Sequence, residues 1–142
     1  MLLLPPQSRL LLTPRLSLLP LVALLPLLFA SCGHALPEVP GFGAAAWRAD
    51  RGACLNQRAA LLPPLLAARA RLYQARANDV TALLGRPDEE ELLAQTEKVY
   101  YYYLRPGPQC APTRLRHAPG PRLSLHFGPL GTVTEVQADP LR

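Results

Sequence analysis

Three cysteines, three histidines and one run of acidic residues are the side chains of this chain with the most reactive chemistry. A thiol is a nucleophile, a metal ligand or half of a disulfide, and Cys32, Cys54 and Cys110 are open to each of these roles. His34, His117 and His126 show no H-x-x-x-H or H-E-x-x-H spacing, so a zinc-hydrolase helix is not indicated. Cys110, His117 and His126 are spaced loosely enough to share a metal, a use that competes with disulfide formation. Asp88 to Glu91 are four consecutive carboxylates. Placed on a turn they diverge, so they read as a solvated charge run and not as paired acid and base. No serine sits in G-x-S-x-G and no glycine-rich phosphate loop occurs. The residues give no catalytic constellation, and we expect neither enzyme activity nor a cofactor nor a metal.

The elements around those residues begin with a leader. Arg9 and Arg15 precede an uncharged run of fourteen residues, Leu16 to Phe29. That length suits the hydrophobic segment of a signal peptide, whereas a spanning helix wants about twenty apolar residues. Pro20 and Pro26 interrupt the run, and small residues follow it. We therefore expect residues 1–31 to be a signal peptide, an uncleaved anchor being the other reading. Removing them leaves thirteen basic and ten acidic residues, a net +3. Fourteen of the fifteen basic residues are arginine. They form no clustered basic face with interleaved aromatics, so nucleic acid is not an expected partner.

Phe29 to Gly33, F-A-S-C-G, resembles the lipobox of bacterial lipoproteins, whose small residues precede a cysteine that becomes the acylated first residue. The resemblance implies lipidation of Cys32 and a chain tied to a membrane without spanning it, since several acyl chains make a stable anchor. An ordinary signal-peptidase site is the alternative. With Cys32 so used, Cys54 and Cys110 are an even pair in an exported chain, where disulfides persist. Such a bond closes a loop of about 57 residues and contributes roughly 4 kcal/mol by chain entropy. Two free thiols are the other possibility.

Residues 32–46, rich in proline and glycine, read as a flexible tether, and residues 47–142 as one small domain. A helical pattern starts at Asp50, with Arg51 and Arg58 free to point outward. Pro63 and Pro64 kink or break it before it resumes toward Tyr73. Asn78 is a plausible N-cap for a second helix with Val80, Leu83 and Leu84 on one face, Gly85 past its end and Pro87 beyond. Lys98 to Leu104, K-V-Y-Y-Y-Y-L, reads as a strand apolar on both faces. The proline-rich segment 105–121 reads as a loop. Arg122 to Phe127 alternates with Leu123, Leu125 and Phe127 inward, G-P-L-G turns the chain, and Thr132 to Gln137 is the last strand. The expected fold class is α+β: two helical segments packed on a three-stranded antiparallel sheet, in the order ααβββ. Trp47 with Tyr100, Tyr101, Tyr102 and Tyr103 is either a surface for a protein partner or half-buried core with hydroxyls reaching water.

V-x-x-L-L-G-x-P-D at Val80 to Asp88, the tyrosine-rich strand, and F-x-x-x-G-x-V at Phe127 to Val133 together resemble the SmpA/OmlA/BamE-like small envelope lipoproteins. The likeness runs over residues 72–137 and implies two helices on a three-stranded antiparallel sheet. The β-lactamase-inhibitor-like repeats share that element order, so the motif points to a scaffold more than to a partner. The function expected is that of a lipid-anchored protein of the bacterial cell envelope, on the outer membrane or the periplasmic face. It would bind an envelope protein without catalysis, as an accessory of envelope assembly. A soluble secreted or periplasmic inhibitor-like domain is the alternative.

Overall fold

Val39-Pro40-Gly41-Phe42 is a turn sequence, with proline set for the second position and glycine for a left-handed third. In the computed structural model, which describes residues 36–94, 97–113 and 115–141, Gly41 has φ +75° and the Phe42 amide donates to the Val39 carbonyl at 3.0 Å. The turn buries Val39 and Phe42, and the Phe42 ring lies 5.5 Å from that of Trp47. The tether expected over 32–46 is therefore corrected for its described part: residues 36–46 pack on the domain. The leader, Cys32 and His34 lie outside the described residues.

Helix α1, Ala44–Ala49, carries Trp47 into the core. The helix expected from Asp50 does not form there. Gly52, Ala53 and Asn56 all take left-handed φ, near +60°, and only one 3₁₀ turn, Arg51–Ala53, breaks the loop. Helix α2, Arg58–Ala67, starts after it and runs through Pro63 and Pro64. Its break thus falls at Gly52 to Gln57, not at the prolines. Leu62 and Leu65 on either side of the prolines are buried, and packing of this kind, about 1.5–3 kcal/mol per side chain, outweighs two lost hydrogen bonds.

Helix α3, Ala77–Leu84, begins two residues earlier than an Asn78 cap would allow, because the Asp79 carboxylate reaches back to the Arg76 amide at 3.3 Å. Val80 and Leu84 face the core, and Gly85 ends the helix with φ +78°. A side chain at Gly85 would press on Arg48, whose guanidinium caps the helix by donating to the Leu83 carbonyl at 3.0 Å.

The sheet has four strands, β1 (Glu89–Leu92), β2 (Lys98–Tyr103), β3 (Arg122–Phe127) and β4 (Val133–Ala138), each antiparallel to the next in chain order. The α+β class holds, but the acidic run forms a fourth strand where three were expected, pairing Glu89 with Tyr101 and Glu91 with Val99. The G-P-L-G turn joins β3 to β4 as expected, with the Gly131 amide donating to the Gly128 carbonyl at 2.8 Å. Residues opposite one another share a face. Tyr100, Leu125 and Val136 therefore lie toward the helices, as do Tyr102, Leu123 and Ala138. These meet Trp47, Leu62, Leu65, Leu72, Val80 and Leu84 in one core. On the opposite face, Tyr103 is covered by Ala53 and Ala118 from two loops.

A charged cleft beside the disulfide

Two aspartates, Asp50 and Asp88, organise the end of the sheet nearest the Asp50 loop. Asp50, fully buried, accepts hydrogen bonds from the amides of Leu55 (2.6 Å), Gln57 (2.8 Å) and Arg58 (3.1 Å), so it shapes the loop and starts α2. That fixes Arg58, which is buried and not outward as the sequence suggested. Its Nε donates to the Trp47 carbonyl and its Nη1 to the Tyr103 carbonyl, both at 3.2 Å. The guanidinium sits 5.1 Å from the Trp47 ring centre and 5.7 Å from that of Tyr102, and its charge is met by Asp88. Asp88 also accepts from the amides of Gly52 and Tyr103, each at 2.9 Å. One carboxylate thereby ties the Asp50 loop, the chain after α3 and the end of β2.

Glu89 comes next along the chain and does parallel work on the other face. Its Oε1 accepts from the Tyr103 hydroxyl at 2.8 Å and from the His117 amide at 2.6 Å. His117 Nδ1 lies 3.3 Å from its Oε2. With Nδ1 turned to Glu89, the Nε2 atom is the imidazole's outward one. His117 has φ +56°, an uncommon conformation for a residue other than glycine. Burial first, and then the hydrogen bond to Glu89, push the Tyr103 hydroxyl up to about 12. Burial likewise raises Tyr102, whose hydroxyl donates to the Gly85 carbonyl at 3.0 Å.

Cys54 and Cys110 form a disulfide with their Cα atoms 5.6 Å apart. Gln109 beside it donates from Nε2 to the carbonyls of Gly52 (2.9 Å) and Arg105 (2.8 Å), so the segment 105–121 is fastened to the Asp50 loop at two adjacent residues. Between them opens a cleft of about 510 Å3. The disulfide, Gly52, Gln109, Tyr103 and the carboxylates Asp88, Glu89 and Glu90 line it. Arg51, Arg86, Arg116 and His117 also line it, all four exposed to solvent.

The residues singled out by sequence fare differently. Cys54 and Cys110 come together. Trp47, Tyr100, Tyr102 and Tyr103 do not make a partner surface, because all four are buried in the core. Tyr101 alone keeps a partly open ring, with the Arg122 guanidinium 4.4 Å above it and Glu91 accepting from its hydroxyl at 3.1 Å. His126 is half-buried on β3, and no group of three potential metal ligands occurs among the described residues. The acidic run is not solvated throughout: Asp88 and Glu89 are spent on internal contacts, while Glu90 pairs with Lys98 at 3.2 Å. Sequence reasoning missed Arg58, Asp88, Glu89 and His117. The one available signal was Asp88 closing the L-L-G-x-P-D motif.

No family model matches the chain, and no curated protein and no solved structure is significantly similar to it. Among the described residues, no helix is long and apolar enough to cross a membrane.

Proposed function

We propose that this chain is an exported protein of the bacterial cell envelope, held on a membrane by lipid on Cys32, and that it acts by binding and not by catalysis, as a BamE-like accessory of envelope assembly. The observation that supports this best is the Cys54–Cys110 bond. It uses two of three cysteines, suits an oxidising compartment, and leaves Cys32 unmatched beside the lipobox-like residues. A domain of about a hundred residues whose cleft carboxylates Asp88 and Glu89 are already spoken for by internal donors also makes a better scaffold than a catalyst.

Metabolic labelling with palmitate tests the anchor. The wild-type chain is expected to take up label and to sediment with membranes, and Cys32→Ser to lose both. Unlabelled wild-type protein in the soluble fraction would overturn the anchored reading in favour of a secreted or periplasmic inhibitor-like domain.

A further inference from the structure

The cleft beside the disulfide contains more positive charge than its own carboxylates use. Asp88 is met by Arg58, Glu90 by Lys98, and Glu89 by His117 with Arg122 at 4.0 Å. No salt bridge among the described residues involves Arg51, Arg86 or Arg116. These three come from separate segments: the loop after α1, the chain between α3 and β1, and the segment 105–121. Each segment is fixed. Arg51 precedes Gly52, whose amide is held by Asp88. Arg86 lies between Gly85, whose carbonyl is held by Tyr102, and Asp88. Arg116 precedes His117, held by Glu89. The three side chains are exposed, but they are rooted at hydrogen-bonded stretches of backbone.

We infer that this cleft is a binding site for a phosphate- or sulfate-type oxyanion carried on a larger molecule. Guanidinium groups donate in planar forks that match such oxygens, and forks supplied by three separate segments suit a tetrahedral anion better than a flat carboxylate. His117 lies on the same rim, with its Nδ1 toward Glu89. A cleft of about 510 Å3 is far larger than one oxyanion, so it has room for part of the molecule that carries it. The inference rests on the reading of the chain as a binding protein, and it does not depend on the Cys32 anchor.

Calorimetric titration of the full-length chain in neutral detergent micelles tests it, with pyrophosphate as the soluble probe and phosphatidic acid doped into the micelles as the lipid probe. Two variants are compared: Arg51→Gln/Arg86→Gln/Arg116→Gln, and the charge-matched control Arg69→Gln/Arg71→Gln/Arg105→Gln. Loss of three charge-assisted contacts is expected to weaken binding by at least about tenfold in the first variant, against less than about twofold in the control. Saturable binding of pyrophosphate assigns a soluble ligand, and binding of the doped lipid alone assigns a headgroup. Equal losses in both variants, or no saturable binding of either probe by wild type, would overturn the site. The palmitate result for Cys32 is read separately, so either reading can fail alone.

Discussion

The chain is fastened in two places by opposite means. Around Arg58, Asp88 meets the buried guanidinium, which lies near two aromatic rings, and the buried Asp50 is met by backbone amides. The segment 105–121, with five prolines, buries only Ala118 among its described residues, and is held from outside by a covalent bond, Gln109 and Glu89. A loop that cannot form regular structure or bury much surface gains little from packing, and a crosslink supplies what packing does not. The core end needs no crosslink, but it tolerates no unmatched charge.

Removing one partner at the buried end should have the largest effect. Asp88→Ala leaves Arg58 buried without its counter-ion and two amides without acceptors, and is expected to cost about 5 kcal/mol or more in a denaturant titration. Arg58→Met combined with Asp88→Asn removes both charges and is expected to restore most of that loss. Failure to recover would mean that the amide contacts, and not the ion pair, dominate there.

Next in size is the disulfide. Cys54→Ser with Cys110→Ser should cost about 4 kcal/mol by the loop-closure relation. Hydrogen exchange should then quicken across 105–121 while amides of α2, β2 and β3 stay protected. Loss of protection throughout would show that the two fastenings are one cooperative unit, and the contrast drawn between them would fall.

Alkaline pH gives the smallest and sharpest test. Tyr103 in the folded chain holds its proton to about 12, mainly through burial, whereas an unfolded tyrosine ionises near 10. Its contribution is therefore complete below pH about 10 and is lost as pH rises toward 12, because the unfolded chain releases the proton first. Tyrosinate absorbance should thus show Tyr103 ionising later in the folded chain than in the denatured chain. In Glu89→Gln the delay is expected to shorten.

The parts legible in the sequence are those where one residue type has one use. Alternation marked β3, G-P-L-G marked its hairpin, Gly85 and Pro87 marked the end of α3, and an even pair of cysteines marked the crosslink. What stayed hidden depends on partners far along the chain. Arg58 looks like any surface arginine, since Asp88 lies thirty residues away and Trp47 eleven. Glu89, Glu90 and Glu91 look like a solvated run, since nothing local shows that Tyr101 and Tyr103 offer hydroxyls and backbone to them. Asp50 looks like a helix start because its three amide donors are ordered only once the loop has folded. The tyrosines carried two meanings at once, and β2's place inside the sheet, with helices on one side and two loops on the other, decided between them.

Strand β1 has one further effect, on how copies of the protein meet. An outer strand presents unpaired backbone groups that invite a second sheet to join it. Exposed Leu92 and Leu93 would encourage that union, but the carboxylates of Glu90 and Glu91 stand beside them, and a second copy would bring the same charges again. At the opposite border, the Gln74 amide and the Ala75 carbonyl already occupy the backbone of Val133. One border is guarded by repulsion and the start of the other by occupation, and both disfavour joining the sheet of one copy to that of another.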